Sequence, residues 1–481
     1  MQGKEIYPNN SSLWANWFVY IFTNSRLPRS REYVDYRDRI ANDRILSYYL
    51  RRMIKKYLEK LEKLSVWQIV LAAFVFRLLL SFTAWHPDVN NHVDWAIRFF
   101  QYGFSKFYAP ESNVWSFTWP NQPPGTVYMF AGVKLLYDLI FQIVWFVNVH
   151  IPLFPSAVMT YVEDNFLYVL TKLPSILSDL GQGVLIYKVV KHLKEDSVAK
   201  FSLIVFLFNP ASWYNSAVWG QTDAVINFFG LLAFYLLLQK RLVFALLMLS
   251  MSLYVKVSLA IFVPLFVIIM IRQRYEMRKV ILAVLVSLGV IGLVTLPFSS
   301  HPVSFLNYVY TKIVLKEQLQ LITANAFNIW AGIAGIHERP HEAIFLLLSY
   351  KYWGLLLFGL TYLPVLYLAY KKQNERAVYV SLVLAAFSAF MFLTNMHERY
   401  LYPLFPAFTI LIGLDRKLIG LFIAVSGIHL LNLYNFWWVP EIRVVVSVMS
   451  AFDRLLPRLL GFGMLMLFYL LYKRLYRANL R

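Results

Sequence analysis

Cysteine is absent from this 481-residue chain, which excludes disulfide bridges and thiolate metal sites. Charge is scarce too. Asp, Glu, Lys and Arg make up 15% of the residues against 59% hydrophobic, and mean hydropathy is +0.54. The apolar segments exceed what one soluble core of this length needs, so the chain reads as a polytopic membrane protein. Acidic residues are the scarcest charged class, 26 against 46 basic, for a formal net charge of +20. The Lys and Arg residues are confined to short stretches between apolar runs, without an interleaved aromatic groove. They therefore read as topology signals and contacts to membrane lipids, and nucleic acid is not an expected partner. No internal repeat is found, which argues against the alternative reading of a transporter or lipid or glycolipid flippase built from two similar halves. The lack of cysteine leans toward a prokaryotic cell membrane, with the ER membrane as the eukaryotic counterpart.

The first 65 residues are polar and basic, from Arg26 through Lys63 with Trp14, Trp17 and Tyr48 interspersed. No signal peptide is recognised there; the segment is expected on the cytoplasmic membrane surface, partly as amphipathic helix. Basic clusters at Lys188 to Lys200, Lys240-Arg241, Arg272 to Lys279, Lys371 to Arg376, Arg416-Lys417 and Lys473 to Arg481 are expected on that same side. The apolar runs between them predict an all-α protein of about twelve transmembrane helices. Residues 126–149 carry Lys134 and Asp138 in mid-run and are expected to lie in or dip into the outer leaflet, because a further crossing would break parity. Long outward-facing loops with interfacial helices then span 85–164 and 299–340. The cytoplasmic links are short, so function is expected on the extracytoplasmic side.

His397-Glu398-Arg399-Tyr400 is wedged between two apolar runs, and ionisable groups at a membrane boundary are costly enough to mark a site. Lys256 lies within an apolar stretch between Arg241 and Arg272. Each arm of that hairpin is about 21 Å long at ~1.5 Å per residue, short of a ~30 Å hydrocarbon core, so the ammonium stays in the membrane and needs an anion. Asp179, Asp223 or the phosphate of a lipid could supply it. Asp88 follows the first apolar run directly, with Asp94-Trp95 after it; it either accepts a backbone N–H or acts in a site. The run Asn121-Gln122-Pro123-Pro124-Gly125 predicts a rigid turn that holds two amides in place for polyhydroxylated ligands. Trp219-Gly220-Gln221-Thr222-Asp223 joins two apolar runs. Asp223 there is a helix cap or, with Trp219 and Gln221, part of a sugar platform. Asn325, Asn328 and Trp330 are either sugar contacts or a capped interfacial helix. No Asp-x-Asp or His-x-x-x-His spacing occurs, so neither a metal nor another cofactor is expected.

Taken in order along residues 66 to about 415, these motifs resemble the GT-C superfamily of membrane glycosyltransferases, and most closely its prokaryotic members akin to the GPI-anchor mannosyltransferases. Residues 66–415 would then form the catalytic region, and 416–481 the last transmembrane helices and a basic tail. The resemblance implies a polyprenyl-phosphate-linked sugar donor, mannose by preference, and a glycolipid, glycan or protein hydroxyl as acceptor. It implies Asp88 as the general base of an inverting displacement, with Asp94 as competitor. The donor phosphate would meet Arg399, Lys256 and His397. Asn121, Gln122, Trp219, Gln221, Asp223, Asn328, Trp330 and Glu398 would line the sugar and acceptor positions.

Overall fold

The computed structural model describes residues 63–109, 119–315, 319–372 and 374–480. The basic segment expected over the first 65 residues falls almost wholly outside them. Helices dominate, and the described strands are a single two-residue hairpin, Ile344–Phe345 with Leu348–Ser349.

The helices used below are α1 (Val66–Thr83), α2 (Val89–Lys106), α3 (Pro124–His150), α4 (Leu173–Leu193), α5 (Asp196–Leu207), α6 (Asp223–Leu238), α7 (Leu242–Val255), α8 (Val263–Arg272), α9 (Met277–Thr295), α10 (Tyr350–Lys371), α11 (Glu375–Phe392), α12 (Leu404–Leu414), α13 (Ile419–Tyr434) and α14 (Arg443–Leu480). Their starts are written in the sequence. Ser65 and Gln68 form a capping box on α1, proline occupies the first turns of α3, α4 and α8, and the Asn374 side chain accepts from Ala377 N at 2.8 Å to open α11. Such devices satisfy amide groups that a helix start leaves without partners. α11 is buried from Ala377 to Phe392 and forms the centre of the main apolar core.

Among the described residues, seven helices are long and apolar enough to cross a membrane, not the twelve expected. Breaks in several of the expected spans account for part of the difference. Pro210 and the π-helical stretch Tyr214–Trp219 interrupt the run after α5. α7 stops at Val255, Lys256 is extended, and a tight 3₁₀ stretch precedes α8. α6, α7 and the 257–272 segment are thus apolar but short. The expectation for 126–149 also changes. α3 is one unbroken helix of 27 residues with the length and hydropathy of a span. Lys134 and Asp138, one turn apart, neutralise each other at 2.5 Å, and this pairing lowers the cost that argued against such a helix. Helical residues 156–170 run back against it. The Gly125 end of this hairpin meets Tyr254, while Lys172 at its other end meets Ala84. Both ends therefore lie at the same end of the bundle, and the parity of the remaining helices is kept.

The basic clusters gather at the opposite end. Arg272 donates to Ala369 O at 2.8 Å, Lys240 to Gln273 O at 3.4 Å, and Arg474 to Lys417 O at 3.2 Å. His192 lies 3.8 Å from Glu375.

Candidate functional site

Four chain breaks converge at the other end of the bundle: the α1–α2 turn, the turn before α3, the Trp219–Thr222 turn before α6, and Lys256 after α7. The 3₁₀ turn Glu398–Leu401 joins them. Gly220 makes the third turn feasible. It takes φ +80°, and a Cβ there would stand 2.8 Å from Lys172 Cγ, a position and a conformation that together favour glycine. Lys172 in turn donates to the Ser81 carbonyl at 3.1 Å and the Ala84 carbonyl at 2.5 Å, closing the end of α1. Gly125 serves the second turn, since a Cβ would lie 2.7 Å from the Tyr254 carbonyl oxygen. Thr126 can then donate to Val255 O at 2.7 Å.

Asp88 sits at the centre. Trp219 Nε1 and Gln221 Nε2 both donate to its Oδ2, at 3.1 and 2.6 Å. Its own amide donates to His86 Nδ1 at 3.3 Å, and the His86 ring is wedged between Trp219 and Trp437, with centroids 4.4 and 4.7 Å away. Lys256 Nζ is held between the two oxygens of Asp223 at 3.1 and 3.2 Å. The anion it needed is therefore Asp223. Asp179 is engaged elsewhere, with Arg77 Nε at 3.3 Å and Ser216 Oγ at 2.6 Å. Arg399 Nη1 donates to Glu398 Oε1 at 2.9 Å; its Nε is 3.9 Å from Asp223 Oδ2 and has no hydrogen-bond partner. The guanidinium lies over Trp219 and Tyr400, 5.5 and 5.7 Å from the ring centroids, while Lys256 Nζ is 5.6 Å from the Tyr400 ring.

Two cations, three carboxylates and an aromatic wall thus share one buried cluster. Burial is the first influence on its titrating groups outside the spans. It pushes Glu398 up despite the opposing Arg399 charge. Burial together with Arg399 pushes His86 down to about 2; burial, Lys256 and Arg399 push His92 down to about 3. His397, beside Tyr400 with ring centroids 5.0 Å apart, is held well below its usual range by burial, Arg399 and Lys256. Neutral imidazoles next to fixed cations follow from the cost of adding a third positive charge to a dry cluster.

Not every residue singled out in the sequence belongs here. Gln122 is attached to the rim through its Oε1, which accepts from Thr126 at 3.1 Å and from Thr222 at 3.5 Å. Asn121 is exposed. Asp94 is held by Arg98 one turn along α2, at 2.9 Å. Asn328 caps the short helix Ile329–Ala334 and donates to Phe390 O at 3.2 Å, while Trp330 donates to Phe392 O at 2.6 Å inside the core; both stand apart from the cluster. Their loop reaches the site by its backbone, because Ala324 N donates to Met396 O at 2.9 Å and residues 324–325 pair with His397. No role was expected for the His86 ring, Lys172 or Trp437, and Tyr400 figured only as the last member of the His397–Tyr400 motif. Each needed a partner distant in the chain to become meaningful; only Lys172, an ammonium inside an expected span, carried a signal of its own. Among the described residues no three His, Cys, Asp or Glu side chains converge as metal ligands.

Residues 139–325 match the family model of the GPI transamidase subunit PIG-U. The matched segment contains Lys172, the Trp219–Asp223 turn and Lys256, but neither Asp88 nor the His397–Tyr400 turn. The curated proteins contain no match to the chain. The PIG-U match overturns the reading of the chain as a glycosyltransferase with a polyprenyl-phosphate sugar donor, because the matched family is a transamidase subunit and not a sugar-transferring enzyme. The likeness to GPI-anchor mannosyltransferases is not carried by the comparison either.

Proposed function

We propose that the chain is a non-catalytic, multi-pass subunit of a GPI transamidase-type assembly, and that its buried cluster holds the phosphate-bearing headgroup of a glycolipid anchor for the partner that performs the chemistry. The observation that carries this reading is the PIG-U match across the segment that supplies Asp223 and Lys256. The cluster's chemistry agrees with it. Arg399 keeps one N–H without a partner and presents a planar fork suited to phosphate oxygens. The half-buried Asp88 carboxylate offers an acceptor for sugar hydroxyls. Asp88 already receives two hydrogen bonds at one oxygen, which suits a fixed acceptor better than a proton carrier.

Native mass spectrometry of the full chain, purified from membranes that contain such anchors, tests the reading. The parent should retain phosphoglycolipid. Arg399→Ala should retain at least about tenfold less, since a charge-assisted contact contributes roughly 1.5–3 kcal/mol, and Arg399→Lys should restore part. Equal retention by Arg399→Ala, or no retention by the parent, refutes the headgroup role. Failure of the chain to co-purify with a transamidase catalytic partner refutes the subunit role.

A further inference from the structure

At the end of the bundle remote from the buried cluster, α13 and α14 border an open cleft of about 630 Å³ lined by Leu421, Leu470, Lys473, Arg474, Arg477 and Ala478. The cations in it are not equivalent. Arg474 is committed, lying 3.5 Å from Asp415 and donating to Lys417 O. Lys473 and Arg477 are exposed, and among the described residues no carboxylate pairs with either; Lys473 only lies over the Tyr469 ring at 5.5 Å. They are four residues apart on one helix and so project from the same face. Two like charges so placed repel, and a bound anion removes that repulsion.

The surface below them decides what kind of anion. Going back along the same face of α14, the side chains are Leu470, Met466 and Phe462, exposed by 39%, 64% and 45%. The spacing of three or four residues makes this a continuous apolar stripe that ends at the two cations. From Lys473 to Phe462 the helix rises about 16 Å at ~1.5 Å per residue, close to half of a ~30 Å hydrocarbon core. A soluble phosphate has no use for such a stripe. An acyl chain does.

We propose that this cleft is a binding site for one anionic phospholipid, its phosphate between Lys473 and Arg477 and an acyl chain along Leu470, Met466 and Phe462. The site is independent of the headgroup cluster, since α14 carries its cations to the opposite end of the bundle.

The test is native mass spectrometry of the full chain reconstituted with phosphatidylglycerol or phosphatidylcholine vesicles. The parent should retain phosphatidylglycerol in preference to phosphatidylcholine. The double variant Lys473→Gln/Arg477→Gln should lower that retention about thirtyfold, equivalent to about 2 kcal/mol and to ~1 kcal/mol for each surface cation. Arg278→Gln/Lys279→Gln removes the same charge from exposed positions at the same end of the bundle and should leave retention unchanged. Met466→Glu, with both cations intact, should also reduce it, because a carboxylate then interrupts the acyl path. Equal losses in the two double variants would reduce the effect to general surface charge and overturn the site. Unchanged binding in Met466→Glu, or displacement of the lipid by millimolar inorganic phosphate, would overturn the lipid assignment.

Discussion

The Lys256–Asp223 pair is the most exacting test of the cluster's energetics. Lys256 is 7% exposed and Asp223 2%, with Nζ 3.1 and 3.2 Å from the two carboxylate oxygens. Asp223→Asn leaves an ammonium buried with the Tyr400 ring at 5.6 Å and the more distant Asp88 carboxylate to attract it, beside the positive Arg399. Lys256→Met leaves a carboxylate whose nearest remaining cation, Arg399, is 3.9 Å away. Orphaning one member of a buried pair costs about 3–5 kcal/mol. The two single variants should not cost the same, because Arg399 stands 3.9 Å from Asp223 while Lys256 keeps only the more distant Asp88 and is repelled by Arg399; Asp223→Asn should be the worse. Replacing both, Lys256→Met with Asp223→Leu, removes the desolvation cost along with the attraction and should recover most of the loss. The assay is reversible denaturation of the detergent-solubilised protein for the parent, the two singles and the double, read as a double-mutant cycle. A coupling energy of at least ~2 kcal/mol is expected. Single losses below ~1 kcal/mol that add in the double would show that the two groups are solvated and do not form a dry pair, and the account of the cluster would fall with them.

Gly220→Ala should lower stability by more than the ~1 kcal/mol typical of a helical glycine–alanine difference, because it combines φ +80° with a Cβ 2.8 Å from Lys172 Cγ; tryptophan fluorescence should report a displaced Trp219. Gly125→Ala should also destabilise, since the 2.7 Å clash is with the Tyr254 backbone, which cannot turn aside as a side chain can; urea titration of the solubilised chain would show a lower midpoint. His86 is pushed down to about 2 by burial and Arg399, so the unfolded chain binds the extra proton between about pH 6.5 and that value, and acidification through this window removes stability. His86→Phe keeps the ring between Trp219 and Trp437 and should flatten the acid limb by up to ~1.4 kcal/mol per pH unit; an acid limb as steep as the parent's would mean that His86 does not contribute to it.

The sequence by itself determined the solvent and most of the candidate polar residues. Apolar runs interrupted by basic clusters describe a helical membrane protein whatever its tertiary packing, because backbone amides in hydrocarbon must bond within their own segment. The cost of a charge in an apolar run brought Lys256 and Arg399 forward, and turn chemistry located the breaks at Gly125 and Gly220. Span number was less legible. Hydropathy does not register a π-helical stretch such as Tyr214–Trp219, or the extended Lys256 that divides one apolar run into two short arms. Nor could it show that Lys134 and Asp138 neutralise each other on an unbroken α3. Only the tertiary structure decided partners. Lys256 had two carboxylates and a lipid phosphate open to it, and α6 places Asp223 in reach while α4 gives Asp179 to Arg77 on α1. Asn328 and Trp330 had the composition of a binding loop, and burial turned them into a cap and a core ring. His86 and Trp437 acquired meaning only as two sides of one aromatic stack. The physical reason is common to all of these: a residue's type fixes which interactions it needs, and the fold fixes which distant group supplies them.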